Sequence, residues 1–159
     1  MDDRLFRTAM GKFATGVTVI ATEVDGDIHG MTANAFMSVS LQPKLVVISI
    51  SEKANMLYLI KESGKFSVNI LSAEQQELSQ LFAGQLKEQR KVAFENLDGV
   101  PVIEGAVAQI CCEVTNTHVE GDHTLFIGKV TAIEVTDEDP LIFFNGRYRS
   151  LTVGTISQS

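Results

Sequence analysis

Cysteine is scarce in this chain: of 159 residues, only Cys111 and Cys112 are cysteines. Neighbours on a strand point to opposite faces and a bridge between them is strained, so no disulfide framework is available. Two thiols kept reduced, in the core or at the surface, are the expected state. Histidine is scarce as well, and His29, His118 and His123 show no metal-ligand spacing. Positive charge is in deficit, with 13 Lys and Arg against 20 Asp and Glu and a net charge of -7. A chain of that sign repels polyphosphate, which argues against a nucleic-acid partner. A small phosphorylated ligand, held by a few amides and a local cation, remains open. No apolar run approaches the ~20 residues that cross a bilayer, so no membrane association is expected. The start, Met1-Asp2-Asp3-Arg4, is acidic with no apolar core behind it. It does not read as a secretory leader, and the expected location is the cytoplasm. The chain also lacks G-x-G-x-x-G, leaving a Rossmann site for nicotinamide unsupported. Repeats, low-complexity tracts and linkers are absent. A chain of 159 residues, 45% of them hydrophobic, is expected to form one domain, 1–159, with its own core.

What is present reads as a β-rich pattern. Residues 2–14 place Leu5, Phe6, Ala9, Met10 and Phe13 on one helical face, with Gly16 as the stop. Val17–Thr22 is a β-branched strand. Asp25-Gly26-Asp27 turns it into a partner at Ile28–Thr32. Ser38–Leu41 and Leu45–Ser51 follow across Gln42-Pro43, and the second is so continuously apolar that burial on both faces is expected. A helix over 54–62 stops before Gly64. Phe66–Leu71 is a strand. A second helix starts after Ser72, where Gln75 completes a capping box, and it buries Leu78, Leu81 and Phe82. Residues 84–99 read as irregular surface, and Ala106–Val119, Leu125–Val135 and Leu141–Phe144 complete the strands. Strands outnumber helices without βαβ alternation. The expected class is therefore mainly β with peripheral helices, a closed or partly closed antiparallel barrel.

Four stretches carry the chemistry. Gly30–Leu41 is dense in small and hydroxyl residues, which lets main-chain amides approach a flat ligand. Its Asn34 offers donors and an acceptor. The bland reading is a small-residue bulge. Ser49-Ile50-Ser51-Glu52-Lys53-Ala54-Asn55 runs from a strand end into a helix start, where free amides suit a phosphate and Lys53 adds a cation. Simple N-capping by Ser51 explains it equally. Glu120–Gly128 is a turn into a strand, and a lone histidine, His123, is more often structural or solvated there. In Pro140–Arg149 the aromatic pair Phe143-Phe144 reads first as core and Asn145-Gly146 as a turn.

Together these stretches, with Phe13-Ala14-Thr15-Gly16-Val17-Thr18-Val19, resemble the short-chain flavin reductases of two-component monooxygenases. That family includes the reductase component of 4-hydroxyphenylacetate 3-monooxygenase. The resemblance runs from about Phe6 to Leu151 and implies an antiparallel Greek-key split β-barrel that binds FMN (or FAD) near the interface of a homodimer. It implies that Thr32, Ala33, Asn34 and Ala35 line the isoalloxazine and that Ser38, Val39 and Ser40 continue that wall. Ser49, Ile50, Ser51, Lys53, Ala54 and Asn55 would hold the ribityl chain and phosphate. Phe82, with Arg90 or Lys91, would close the phosphate side, and Tyr148 would lie near the ring. Gly121, Asp122 and His123 would meet NADH or NADPH. Many members carry a Lys/Arg-Phe pair after the Phe82 helix, where this chain reads Arg90-Lys91-Val92-Ala93-Phe94. The activity implied is NAD(P)H:flavin oxidoreduction, with reduced flavin diffusing to an oxygenase component. Alternatives on the same barrel are a flavin-dependent ferric reductase, a non-catalytic FMN-binding electron-transfer protein, and a relative of the pyridoxamine-phosphate oxidases.

Overall fold

The computed structural model describes residues 1–85 and 92–152. Seven strands form the main sheet: β2 (Thr18–Val24), β3 (Asp27–Ala33), β4 (Phe36–Ser40), β5 (Leu45–Ser51), β6 (Lys65–Ile70), β9 (Ala108–Glu120) and β10 (His123–Val135). Their spatial order is β3-β2-β6-β9-β10-β5-β4, and all neighbours are antiparallel. Laid flat, the two edge strands would stand about 29 Å apart, at roughly 4.8 Å per strand. Yet β3 and β4 are consecutive in the chain and joined by Asn34 and Ala35 alone. Three Cα steps span at most about 11 Å, so the sheet must curl until its edges nearly meet. The result is a barrel split along the β3–β4 seam.

The barrel interior is a cluster of Ile20, Val46, Ile48, Ile50, Phe66, Val68, Cys112 and Phe126. Helix α2 (Asn55–Ser63) adds Met56, Leu57 and Ile60 to it. The helix stops at Gly64, whose left-handed φ of 71° lets its N–H close on Ile60 O at 2.8 Å. Gly128 of β10 is fitted to this core: a Cβ there would stand 2.6 Å from Phe66 Cζ. Outside β2 and β3 lies a second cluster, Val17, Val19, Leu71, Ile103 and Leu141. Leu78 and Phe82 of α3 (Gln76–Phe82) pack at its margin, as does Tyr148. Cys111 joins a third cluster with Val100 and Val102. The adjacent cysteines thus face opposite sides of the sheet, both free and buried.

Several expectations need correction. The first helix is α1 (Asp3–Gly11) and buries none of its residues; its apolar Leu5, Phe6 and Met10 stay more than half exposed. Gly16 lies beyond it in β1 (Thr15–Gly16), paired with β11 (Ile142–Phe144). Strand β5 is not buried on both faces. Val46, Ile48 and Ile50 are buried while Leu45, Val47, Ser49 and Ser51 are half-exposed, since only the inner face meets the core. The capping-box contact exists, with Ser72 N donating to Gln75 Oε1 at 3.0 Å. It closes a turn ahead of the helix, however, and α3 begins only at Gln76. Of α3 only Ser79 is buried; Leu78, Leu81 and Phe82 are half-covered. Residues 94–99 are not irregular: β7 (Phe94–Leu97) pairs with β8 (Val100–Ile103). Their link is Asp98-Gly99 with φ of 52° and 80°, the positive-φ pair a tight hairpin demands. A short β12 (Arg147–Arg149) completes the β1-β11-β12 sheet.

The β7–β8 hairpin is tied down by a buried polar network. Asn69 Nδ2 donates to Val19 O at 3.0 Å and to Ser67 Oγ at 2.9 Å. Its Oδ1 accepts from Ile103 N at 2.8 Å. Ser67 Oγ donates to Pro101 O at 2.6 Å.

Candidate active site

The seam gathers two groups of the predicted residues. The first is set by strand register. His123 stands opposite Ser51, and Leu125 opposite Ser49, in the β5–β10 pair. Ser49 N in turn donates to Ala35 O at 3.2 Å. Asn34, Ala35, Ser49, Ser51 and His123 therefore share one corner of the barrel. The Gly121 turn, with φ 61°, is tied to the β5–α2 connection by Glu52 N donating to Asp122 O at 2.9 Å. Ser51 folds that connection: its Oγ accepts from Lys53 N at 3.2 Å and its carbonyl from Ala54 N at 3.0 Å. Ser51 thus does not cap α2. The N-cap is Ala54, which has no side-chain cap bond, so the first-turn amides beside Asn55 are open to an anion.

Asp122 Oδ1 and His123 Nδ1 are 2.8 Å apart, with Asp122 the more exposed of the two. The hydrogen bond from His123, and then its charge, hold the Asp122 carboxyl below its ordinary range; Lys53 contributes a smaller pull in the same direction. The pair presents an oriented imidazole edge beside Ser51.

The second group lies on the outer side of β3. Thr32 Oγ1 donates to Ser79 O at 2.6 Å, and Ser79 Oγ lies 2.7 Å from Tyr148 Oη. Phe82 seats over Gly30, where a Cβ would approach its Cε1 to 2.7 Å. Ser79 was not anticipated. The signal available was a polar residue on the Leu78/Phe82 face of an otherwise apolar helix stripe.

Other predicted residues fall as follows. Ser38 and Val39 are exposed on β4, and Ser40 is half-buried next to a bulge. Ile50 is fully buried in the barrel, so only its main chain can face a ligand. Ala54 packs at the edge of the inner core. Arg90 and Lys91 lie outside the described residues. A depression of about 560 Å³ between α1 and the Asn145-Gly146 turn is lined partly by Asp2 and Asp3. It includes none of the seam residues. Along the seam Asn34, Ala35, Ser38 and Val39 are exposed, and the seam forms an open shelf.

The family described as flavin reductase like domain matches residues 10–152. The chain belongs to that family. An NADH-dependent flavin reductase of Rhodococcus sp is 45% identical, over 91% of this chain and 84% of its own. The reductase component of 4-hydroxyphenylacetate 3-monooxygenase from Thermus thermophilus is 38% identical, over 92% and 95%. Among solved structures, flavin reductase PheA2 in its native state superposes with a TM-score of 0.95 at 64% identity. That match covers 96% of this flavin reductase and 99% of the other chain. An NADH:FAD oxidoreductase from Streptomyces globisporus, solved with NAD and FAD fragments, gives a TM-score of 0.88 at 35% identity over 95% and 94%. The split-barrel expectation holds for this flavin reductase.

Proposed function

We propose that this protein carries reducing equivalents from NADH or NADPH to FMN or FAD at the β3–β4 seam and releases the reduced flavin to a separate monooxygenase. The observation that carries the reading is the corner where Asn34-Ala35, Ser51 and His123 meet through strand register. The residues there fit a flavin. Asn34 and Ala35 are exposed beside a row of edge amides, Ser49 and Ser51 supply hydroxyls, and α2 opens without a side-chain cap beside Lys53. Hydride transfer is the chemistry the two cofactors supply when both are bound.

The chain's own part is placement. Main-chain groups of Thr32–Ala35, with the Asn34 carboxamide, would hold the polar ring edge and supply donors toward it. Ser38, Val39 and Ser40 extend the shelf. Ser49, Ser51, Lys53, Ala54 and Asn55, with the main chain of Ile50, take the ribityl and phosphate. Phe82 and Tyr148 bound the outer side. Gly121 and Asp122 orient His123 toward the nicotinamide, so that the two rings can be held within reacting distance.

A second copy of the chain is proposed to roof the shelf. Phe13 and Leu41 are 78% and 71% exposed, and Leu5, Met10 and Met37 exceed half, an apolar exposure that marks an interaction surface. The free thiols Cys111 and Cys112 support a reducing, cytoplasmic setting. No helix among the described residues is long and apolar enough to cross a membrane.

The deciding assay follows NADH and NADPH oxidation with and without FMN, FAD and riboflavin. Turnover should require added flavin, and a separate oxygenase across a dialysis membrane should receive reduced flavin. No flavin-dependent oxidation at saturating flavin would end the reading.

A further inference from the structure

Helix α3 carries one fully buried residue, Ser79, and its polar atoms engage residues from two other elements. Its hydroxyl reaches Tyr148 Oη of β12 at 2.7 Å. Its carbonyl accepts from Thr32 Oγ1 of β3 at 2.6 Å, as well as from Ala83 N at 3.0 Å. A serine inside a helix commonly bonds back to a carbonyl of its own turn; this one reaches across the second core cluster instead. Phe143 packs edge-on against the Tyr148 ring, at 5.2 Å between centroids and 68° between planes. Tyr148 is therefore fixed at both ends, by Phe143 against the ring and by Ser79 at the hydroxyl. Two residues of one short helix, Ser79 through Tyr148 and Thr32 and Phe82 through Gly30, bind it to β3 and β12.

We propose that Ser79 is a positioning residue for flavin, fixing the orientations of Tyr148 and Thr32 at the flavin seat. The inference rests on the reading above that these two residues border the flavin. Ser79 itself need not touch it: a fully buried hydroxyl acts through the tyrosine it holds. The helix then links flavin affinity to a hydrogen bond that the flavin itself does not touch.

The test is a cycle of Ser79→Ala, Tyr148→Phe and the double variant. Flavin Kd is read by fluorescence quenching, KM for NADH at saturating flavin, and thermal melting. Ser79→Ala keeps the main-chain carbonyl for Thr32, so both single changes remove the same hydroxyl–hydroxyl bond. Each single is expected to raise the flavin Kd about five- to tenfold, the worth of one such bond. The double should be no weaker than the weaker single within about twofold, and KM for NADH should move less than about twofold. Flavin affinity unchanged in a folded Ser79→Ala overturns the proposal, as do single effects that multiply in the double. Should Ser79→Ala not fold, Tyr148→Phe decides alone, and unchanged flavin affinity there overturns it. Wild-type protein that binds no flavin overturns the functional reading and this inference with it. Wild-type binding with an indifferent Ser79→Ala overturns the inference only.

Discussion

At the scale of single residues, the Asp122–His123 pair and the two thiols behave oppositely because one pair is exposed and the other is not. His123 holds the Asp122 carboxyl low through a direct bond and its charge. A carboxyl lowered in the folded state keeps its pairing above the ordinary aspartate range and loses it as pH falls through the lowered value. In His123→Ala, the Asp122 carbon resonance should titrate in the ordinary range, and KM for NADH should rise about five- to tenfold with flavin KM little changed. Equal rises in both would remove His123 from the nicotinamide side. Burial pushes the Cys111 thiol up to about 11 and Cys112 up to about 12, with desolvation the main cause for each. Such thiols stay protonated when folded, whereas the unfolded chain ionises near 9.0. Their contribution is complete below that pH and declines as pH rises toward the folded values. Neither should react with a thiol reagent at pH 8 until denaturant is added, so rapid labelling of native protein would contradict the burial.

Elements differ in what holds them. The β7–β8 hairpin pairs with no strand of the main sheet and depends on Asn69 to join Ile103 N to Val19 O through one side chain. Asn69→Ala leaves buried main-chain groups without partners and should cost roughly 3 kcal/mol, read as a lower urea midpoint with an unchanged slope. A loss below about 1 kcal/mol would show that water or a neighbour replaces the carboxamide. The hairpin escaped the sequence reading because its strands are four residues long, β7 follows a charged stretch and Pro101 interrupts β8, although Asp98-Gly99 was a usable turn signal. The long strands were legible because their β-branched content and alternation persist. Strand β5 misled because an apolar run does not say how many of its faces find a cover. Helix α1 was legible in its period, yet nothing in its stripe says what the stripe meets.

At the scale of the whole molecule, the proposed second copy would cover the exposed apolar residues and roof the seam. Light scattering should give about twice the 17.3 kDa chain mass, and Leu5→Asp with Phe13→Asp should shift the mass toward a single chain while flavin-dependent turnover drops. A wild-type mass of one chain at micromolar concentration would mean that the shelf works unroofed.

Sequence alone determined the β-rich class, the family and the stretches proposed for the site, because small-residue loops, turn glycines and β-branched runs act locally and survive as pattern. Only the tertiary structure decided that Asn34, Ser51 and His123 share a corner, that Ile50 turns inward, and that Ser79 stands behind Tyr148. Those facts depend on strand register and on which face of a sheet meets the core, and both are set by packing between segments far apart in the chain.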